Sequence, residues 1–409
     1  MKFYIFLAII MLSGIACAFS DKTASAPQDL PDADRLLLGY GAITLDQENG
    51  LNRKIWYEYR IKPRFHMRKI WLGLDFRLHL DENNKLYADE WNGWNDVIDK
   101  IDYLYFNDKT DSIFFRAGEL REVTFGSGFV VNRYSNVITY PIQKRKVGLD
   151  LGLNFPYEDG MEIFVNDIDA SRLFGMRLYF VPLDGVNVGF SYIRDKDPER
   201  NNDSSGSLHF FAADLISPLY KKAHSGFYVY ENAAKILDYG FGVSSGAKWE
   251  MPILELAAEY RYYDADFAPS YFNEFYELDS RRKFNDLKAL KQSGKFGGFY
   301  YSTLLKLLDN AVQWRSSLEQ FTKSGQGLHF FSELKLKNLP VTDTDCSISY
   351  DDKDAYLANF GFDKRNVAII GAVTYKIAKN AQLKFDYKRI YDEFGVAQKV
   401  SGISTDLIF

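Results

Sequence analysis

Apolar and polar residues alternate along nearly the whole chain, in segments of about ten residues. In the clearest segment, residues 70–80, every second residue is Ile, Leu or Phe, and the residues between them are Trp, Gly, Asp, Arg and His. Because successive side chains of a strand point to opposite faces, this segment predicts a β-strand with one apolar face and one polar face. The pattern recurs at 147–155, 254–262 and 382–388.

About twenty such segments follow one another. They lie near residues 36–45, 54–65, 69–80, 98–106, 112–131, 145–155, 160–167, 172–181, 185–194, 206–216, 224–232, 238–249, 252–264, 296–307, 311–322, 326–338, 341–350, 366–377, 381–390 and 400–409. Their connections alternate between short turns, such as 66–68 and 182–184, and long loops, such as 81–97, 133–144 and 266–295. Short turns at one end and long loops at the other are typical of transmembrane β-barrels.

The first 18 residues have the features of a secretory signal peptide. A lysine precedes an apolar run at 3–12, and Ala16-Cys17-Ala18 forms a small-residue cleavage site. Acylation of Cys17, as in a lipoprotein, is the weaker alternative. The chain is therefore expected to be exported.

The sequence predicts an all-β fold, a transmembrane antiparallel β-barrel of roughly 16–20 strands with short periplasmic turns and long extracellular loops. The barrel is expected at 36–409, after a polar periplasmic N-terminal segment at 19–35. A soluble β-sandwich also alternates, but its strands are shorter, at about 5–6 residues. A sandwich protein of this length would also divide into domains at visible linkers.

The long loop at 266–295 is expected to be partly helical, because Phe275, Leu278, Phe284 and Leu287 recur at near-helical spacing. This extracellular segment either folds inward and narrows the lumen or lies over the mouth of the barrel. The alternation alone does not decide between the two.

The composition excludes several other classes of protein. The chain has 33 Phe and 28 Tyr, which is too much apolar surface for a disordered protein. It has 2 Cys, one of them in the leader, so it cannot be a disulfide scaffold. Its 50 basic and 55 acidic residues are interspersed, and no basic stripe indicates nucleic acid as a partner.

Charged residues of the alternating segments are expected to line the lumen, because a lipid-facing Lys or Arg at mid-membrane costs about 2–4 kcal/mol. The basic candidates are Arg60, Lys62, Arg64, Arg77, Arg116, Arg177, Arg261, Arg315, Lys335, Lys337, Lys376, Lys384 and Lys388. The acidic candidates are Glu58, Asp75, Asp150, Glu162, Glu255, Glu259, Glu319, Glu333 and Asp386. The basic excess, concentrated at Arg60, Lys62 and Arg64, predicts a mild preference for anions. Alternatively, carboxylates such as Glu58 and Asp75 pair with these cations and stiffen the wall.

Aromatic residues on the opposite face are expected to lie at the membrane interfaces, with their rings in lipid and their polar tips at the headgroups. They are Tyr57, Tyr59, Phe65, Tyr103, Tyr105, Phe180, Tyr192, Tyr260, Tyr262, Tyr375 and Tyr387.

The segment Gly242-Val243-Ser244-Ser245-Gly246 matches the nucleophile elbow of hydrolases, G-x-S-x-G. It lies within an alternating strand, whereas the elbow requires a strand-turn-helix context. The 5 histidines show no metal-ligand spacing, and no cysteine pair is present. We therefore expect no enzymatic activity, no metal and no cofactor.

The last segment alternates through Ile403, Thr405, Leu407 and a terminal Phe409. With the leader and the strand pattern, it makes the chain resemble bacterial outer-membrane β-barrels of the porin class. The resemblance implies an integral protein of a Gram-negative outer membrane, with this segment as the signal for the barrel-assembly machinery. It also implies contact with outer-membrane lipid and lipopolysaccharide, and a possible homo-oligomer.

The expected function is passive diffusion of small hydrophilic solutes, since barrels of about 16–18 strands leave an aqueous channel. The first alternative is a non-conducting barrel that acts as an adhesin or a structural surface protein. The second alternative is an outer-membrane hydrolase that acts through Ser244.

Overall fold

The structure is a computed structural model that describes residues 34–47, 53–87, 91, 93, 95–141, 144–156, 159–183, 185–201, 206–290, 294–321, 328–337, 343–355, 367–391 and 396–409. The signal peptide at 1–18 and most of the polar segment at 19–35 lie outside the described residues.

Strands make up the wall of the molecule. They are β1 (Arg35–Gln47), β2 (Lys54–Met67), β3 (Ile70–Leu74), β4 (Phe76–Leu80), β5 (Ile101–Phe106), β6 (Ile113–Gly118), β8 (Gly148–Asn154), β9 (Gly160–Val165), β10 (Leu173–Leu183), β11 (Val186–Asp195), β12 (Leu208–Lys222), β13 (Ser225–Ile236), β14 (Phe241–Glu250), β15 (Leu254–Asp264), β17 (Lys295–Leu307), β18 (Val312–Phe321), β19 (Leu328–Leu336), β20 (Thr344–Ala355), β21 (Val367–Ala378), β22 (Ala381–Tyr391) and β23 (Ala397–Ile408). Two short strands lie in loops and pair in parallel, β7 (Val131–Asn132) and β16 (Phe272–Asn273). The described helices are α1 (Asn95–Ile98) and α2 (Tyr276–Leu290).

The described wall strands form a closed antiparallel barrel of 20 strands. Each strand pairs with its neighbours along the chain, and β1 also pairs with β23, where Leu37 lies opposite Ile408. The third strand is divided at Asp75 into β3 and β4, and both parts pair with β2. Closure leaves no free sheet edge, which is a requirement for a sheet that crosses lipid. The predicted all-β barrel is confirmed at the upper end of the expected strand number.

The outer face of the barrel is apolar. On β2, the outward residues Tyr57, Tyr59, Ile61, Phe65 and Met67 are exposed, whereas the residues between them are partly or fully buried. Soluble proteins rarely expose continuous apolar surface on this scale, so the outer face is in contact with lipid. In the described part of the chain, no helix is long and apolar enough to cross a membrane.

The strand expected over 112–131 is much shorter than predicted, because β6 ends at Gly118. Gly118 has a φ of 118°, and a Cβ at this position would lie 2.4 Å from the carbonyl oxygen of Asp102. Only glycine fits this backbone conformation, and the chain leaves the wall here. We call residues 119–147 the inserted loop. Its described parts, 119–141 and 144–147, run inside the barrel before the wall resumes at β8.

Two tyrosines expected on the lipid face point into the barrel instead. The pairing of β3 with β5 shifts register next to Gly73, which lies opposite Tyr103. A bulge of this kind changes which residues face inward. The ring of Tyr103 covers Gly73, and the Arg116 guanidinium lies 5.4 Å from the ring centre of Tyr105. The prediction of an outward position for Tyr103 and Tyr105 was therefore wrong.

A hydrophobic core fills part of the lumen. It joins three groups of buried residues, from the inserted loop, from the loop that contains α2 and from the inner wall. The inserted loop contributes Phe125, Phe129, Val131 and Tyr134, the α2 loop contributes Phe267, Tyr271, Phe272, Tyr276, Phe284 and Leu287, and the wall contributes Phe164, Phe210 and Ile236. Helix α2 therefore lies inside the barrel, and both loops narrow the lumen.

Candidate functional site

The inserted loop crosses the lumen from the strands that carry it to the opposite wall. Its Glu122 accepts salt bridges from Lys335 Nζ at 3.1 Å and from Arg315 Nη1 at 3.4 Å. Its Arg133 reaches Glu333 on β19 at 2.9 Å. Strands β18 and β19 lie about halfway around the barrel from β6 and β8, so the loop spans the full width of the lumen.

The tip of the inserted loop also touches the wall closely. Gly126 has a φ of 56°, and a Cβ there would lie 2.6 Å from the carboxyl carbon of Asp214 on β12. Ser127 donates a hydrogen bond to Asn232 on β13 at 2.8 Å. Any side chain at position 126 would push the loop away from this wall.

Helix α2 holds the inserted loop in place through Glu277, which is buried. Glu277 accepts a hydrogen bond from Tyr134, an ion pair from Lys146 Nζ at 2.5 Å and another from Arg200 Nη2 at 3.4 Å. Burial alone would raise the pKa of Glu277, but the charges of Lys146 and Arg200 outweigh burial and lower it to about 2. Glu277 is therefore ionised at neutral pH and connects three loops.

A cavity of about 990 Å³ remains beside the inserted loop. Its wall residues all come from the consecutive strands β12–β20, among the residues that the structure describes. Its lining reaches from Glu250, the last residue of β14 at the short-turn end, to Lys353, near the long-loop end of β20. The cavity therefore extends along the barrel from one end towards the other.

The described lining of this cavity is balanced in charge. Its cations are Arg133, Lys248, Arg282, Lys283, Arg315 and Lys353, and its carboxylates are Glu250, Glu255, Glu274, Asp286, Glu319 and Asp351. Small polar residues, Ser302 and Ser317, lie opposite each other on β17 and β18 and keep the space between the charges open. A wall of this kind is compatible with water and with polar solutes of either sign.

Two loop residues in this lining have strongly shifted pKa values. Burial, reinforced by the neighbouring charge of Arg282, lowers the pKa of Lys283 to about 7. Burial also raises the pKa of Glu274 to about 7, although the charge of Arg133 opposes this shift. The net charge of the lining therefore changes in the neutral pH range.

The basic residues predicted on the second strand lie on the other side of the barrel, in a dense cluster around Asp75. Asp75 receives Arg60 Nε at 2.7 Å, Arg77 Nη2 at 2.6 Å and Arg145 Nη2 at 2.7 Å. Lys62 lies 3.4 Å from Asp102. These cations are paired, and they pack against the inserted loop rather than line the cavity.

Two further predicted residues join or extend this cluster. Glu58 lies 3.5 Å from Arg77 Nη1 and 3.1 Å from His79 Nε2. Arg64 lies on the same inner face of β2, nearer to its short-turn end. One inner surface of the barrel wall therefore carries six of the predicted residues, as expected from their positions in the alternation. They are Glu58, Arg60, Lys62, Arg64, Asp75 and Arg77.

Five further predicted lumen residues lie in separate pairs around the barrel. Arg116 and Asp150 are cross-strand neighbours on β6 and β8. Arg177 Nη2 lies 2.6 Å from Asp214. Lys384 lies 3.2 Å from Asp386 on β22. These pairs are on the inner face but not in the lining of the cavity.

Three predicted residues of β15 lie in or beside the cavity wall. Glu255 lines it and is bound by Lys306 and by Lys248 Nζ at 3.4 Å. Arg261 is fully buried, with Glu259 at 2.9 Å and with Glu319 on β18 at 2.6 Å. Arg261 therefore links β15 to β18 by ion pairs on the inner face of the wall.

Sequence reasoning missed the loop residues of the site, above all Glu122, Arg133, Glu274 and Glu277. Glu122 lies within 112–131, which the alternation predicts as a strand, and the other three lie in the long loops predicted at 133–144 and 266–295. The signal that could have corrected this is the group of glycines Gly118, Gly126 and Gly128, all at positive φ, inside a supposed membrane strand.

Ser244, the serine of the G-x-S-x-G match, lies in the middle of β14 and is buried. Its Oγ accepts a hydrogen bond from Asn232 Nδ2 at 2.8 Å. Residues on both sides of it continue the strand, so no turn presents the hydroxyl in the manner of a nucleophile elbow.

The C-terminal strand places Ile403, Thr405 and Leu407 on the exposed outer face. Phe409 follows the strand and is also exposed, while its backbone exchanges hydrogen bonds with Leu36 on β1 at 2.9 and 3.1 Å. The chain end therefore completes the barrel seam.

The chain is similar in architecture to solved structures of outer-membrane porins. OpdL of Pseudomonas aeruginosa is 9% identical, with 93% of this chain and 99% of that chain covered and a TM-score of 0.37. OccK11 (OpdR) of the same organism is 8% identical, with 92% and 95% covered and a TM-score of 0.38. OccAB2 of Acinetobacter baumannii is 9% identical, with 94% and 99% covered and a TM-score of 0.36. No family model and no curated protein sequence matches the chain.

The class of the protein rests on its own geometry. A closed, even-numbered antiparallel barrel with an apolar outer face, short turns at one end and long loops at the other is an outer-membrane β-barrel of porin-like architecture.

Proposed function

We propose that the protein is a porin-like channel for passive diffusion of small hydrophilic solutes. The observation that supports this function is the charge-lined cavity of about 990 Å³, which persists although two loops occupy the lumen. Barrels of about 16–18 strands or more leave a lumen that is too wide for wall side chains to fill. The inserted loop and α2 would then set the size limit of the path.

The path is expected to select weakly by charge. Its described lining carries equal numbers of cations and carboxylates, and the basic cluster around Asp75 is paired and lies outside it. The mild anion preference expected from Arg60, Lys62 and Arg64 remains a prediction. Arg60 is paired with Asp75 and Lys62 with Asp102, which argues that these two contribute little to it. Solute size would then matter more than solute charge.

A non-conducting surface barrel is the second candidate, and one observation favours it. The hydrophobic core between the inserted loop, α2 and the wall closes part of the lumen with buried aromatic rings. If the remaining cavity did not connect both ends in the membrane, the long loops would be the functional surface.

Solute flux into proteoliposomes separates the two candidates. We expect swelling with uncharged sugars that becomes slower from a monosaccharide to a disaccharide to a trisaccharide. Ser317→Trp, on the cavity wall, should slow swelling. Leu318→Trp should not, because Leu318 lies opposite the exposed Tyr301 on the outer face and does not line the cavity. Swelling equal to that of empty liposomes, with protein that shows heat-modifiable gel mobility, would support the non-conducting barrel.

Export and assembly form a separate part of the proposal. We infer that the leader at 1–18 is removed on export and that Ile403, Thr405, Leu407 and Phe409 form the signal read by the barrel-assembly machinery. The exposed outer-face position of these four residues supports this role. Phe409→Ala should lower the amount of assembled protein in outer membranes at equal expression, and an unchanged amount would refute the assignment.

A further inference from the structure

A groove of about 390 Å³ lies on the outer face of the barrel, away from the lumen. Its floor is formed by Ala213 on β12 and Ala233 on β13, which are direct cross-strand partners. Its sides are the exposed rings of Phe190, Phe211 and Phe241. The two alanines interrupt a surface of large side chains, and the resulting depression is apolar.

Two cations stand at the long-loop end of this groove. Lys235 is exposed and lies in register between Phe211 and Phe241. Arg194, one outward position nearer to the loops, pairs in register with His209. The strands that carry Arg194 and Lys235 are two apart, so the two cations are separated by about 10 Å across the sheet.

The polar groups around these cations form a band above the apolar groove. Tyr192 Oη and His209 Nδ1 are 2.8 Å apart, and Ser207 Oγ lies 3.2 Å from His209 Nε2. The buried Nε of Arg194 has no hydrogen-bond partner among the described residues. The guanidinium of Arg194 therefore keeps an unused donor within the described residues, and the side chain as a whole is only half-buried.

The depth of the cations matches the headgroup region. A lipid-facing Lys or Arg costs about 2–4 kcal/mol at the bilayer midplane but only about 0–1 kcal/mol near the interface. Arg194 is the next-to-last residue of β11, and Lys235 is the next-to-last residue of β13, both at the long-loop end. Phosphate oxygens at this level would give both cations a charged partner.

We propose that this outer groove is a binding site for a phosphate-bearing lipid of the outer leaflet. One acyl chain lies along Ala213 and Ala233 between the aromatic rings, and the phosphate is bound by Arg194 and Lys235. The carboxylate of Glu231 does not oppose the phosphate, because it lies on the side away from the cations and accepts a hydrogen bond from Ser245 at 2.7 Å.

A second copy of the chain is a poorer occupant. Two copies inserted in the same direction around a symmetry axis bring equal depths together. Arg194 and Lys235 of one copy would then meet the same cations of the other, which is unfavourable. An anionic amphiphile matches both the charge and the polarity gradient of the site.

Native mass spectrometry of the purified barrel in mild detergent tests the proposal with two probes, diphosphorylated lipid A and its dephosphorylated counterpart. We expect one lipid A to bind per barrel, at least about tenfold more tightly than the dephosphorylated form. Arg194→Gln with Lys235→Gln should remove this difference. Ala233→Leu, which fills the groove, should weaken both lipids. Heat-modifiable gel mobility confirms that each variant is folded.

Lys295→Gln is the matched control, because Lys295 is an exposed cation at the same end of the barrel but outside the groove. This variant should bind lipid A as the wild type does. Equal binding of the two probes to the wild type would overturn the proposal, as would an unchanged affinity in the double variant or an equal loss in Lys295→Gln. A lipid-free dimer that the double variant strengthens would instead assign the groove to a second copy.

Discussion

Glu122 of the inserted loop and Lys335 of β19 form a salt bridge of 3.1 Å from opposite sides of the barrel. The same carboxylate also binds Arg133 at 2.8 Å and Arg315 at 3.4 Å. Glu122 therefore anchors the inserted loop, which divides the lumen. On one side lie the paired basic residues around Asp75, and on the other side lies the open cavity.

Glu122→Gln should therefore loosen the inserted loop without unfolding the barrel. The side chain is partly exposed, so the loss of stability is expected to be no more than about 1 kcal/mol. Single-channel recordings should show more open-channel noise than the wild type. Glu82→Gln, in an exposed loop, serves as the control, and equal noise in all three proteins would contradict the anchoring role.

Glu277 should give the α2 loop a specific dependence on acid. Its folded pKa of about 2 is below the usual value of 4.5, so its stabilising contribution is complete above pH 4.5 and is lost as the pH falls through about 2. Glu277→Gln leaves Lys146 and Arg200 without their carboxylate and should cost about 3–5 kcal/mol of local stability.

Hydrogen exchange of α2 measures this effect. The difference between wild type and Glu277→Gln should be constant from about pH 5 to pH 8 and should shrink below pH 4.5. Glu199→Gln, which removes an exposed partner of Lys288, is the matched control. A difference that grew in acid would contradict this explanation.

Lys283 and Glu274 should make ion selectivity depend on pH near neutrality. Lys283, with a pKa of about 7, is charged below pH 7 and neutral above it. Glu274, also with a pKa of about 7, is neutral below pH 7 and charged above it. Both changes make the lining more negative as the pH rises, so the reversal potential in a salt gradient should move from anion towards cation preference.

Lys283→Gln should reduce this change without abolishing it, because Glu274 still titrates in the same pH range. Lys288→Gln, on an exposed side of the same helix, should leave the pH dependence as it is in the wild type. A selectivity that did not change between pH 5 and pH 9 would show that these two groups do not face the conducting path.

Neighbouring residues of β22 test which face of the wall meets lipid. Phe385 is exposed on the outer face, and Lys384 is on the inner face next to Asp386. Phe385→Lys should lower the free energy of unfolding by about 2–4 kcal/mol. Lys384→Gln should change it little, and the reverse order in urea unfolding would contradict the assigned faces.

The strand pattern could be predicted because a strand has a period of two, and one face of this barrel must be apolar. That rule placed Glu58, Arg60, Lys62 and Asp75 on one inner surface. It failed at Tyr103, because the register shift beside Gly73 is not visible as a change in alternation. A single bulge reverses the face of the residues that follow it.

The functional part of the lumen could not be predicted in the same way. The inserted loop is stabilised by partners far away in the sequence, such as Glu333 for Arg133 and Glu277 for Tyr134. Contacts between residues this far apart in the chain leave no periodic pattern in the local sequence. The pairing of Asp75 with Arg145, a loop residue, likewise required the loop to fold back into the barrel.

The central claim is that a water-filled path follows the cavity beside β12–β20. Single-channel conductance in planar bilayers of wild type, Ser317→Trp and Leu318→Trp tests it most directly, since these adjacent residues face the cavity and the lipid respectively. We predict stable open levels, reduced at least about twofold by Ser317→Trp and unchanged by Leu318→Trp. The absence of stable levels in folded wild-type protein, or equal conductance in all three proteins, would contradict the account.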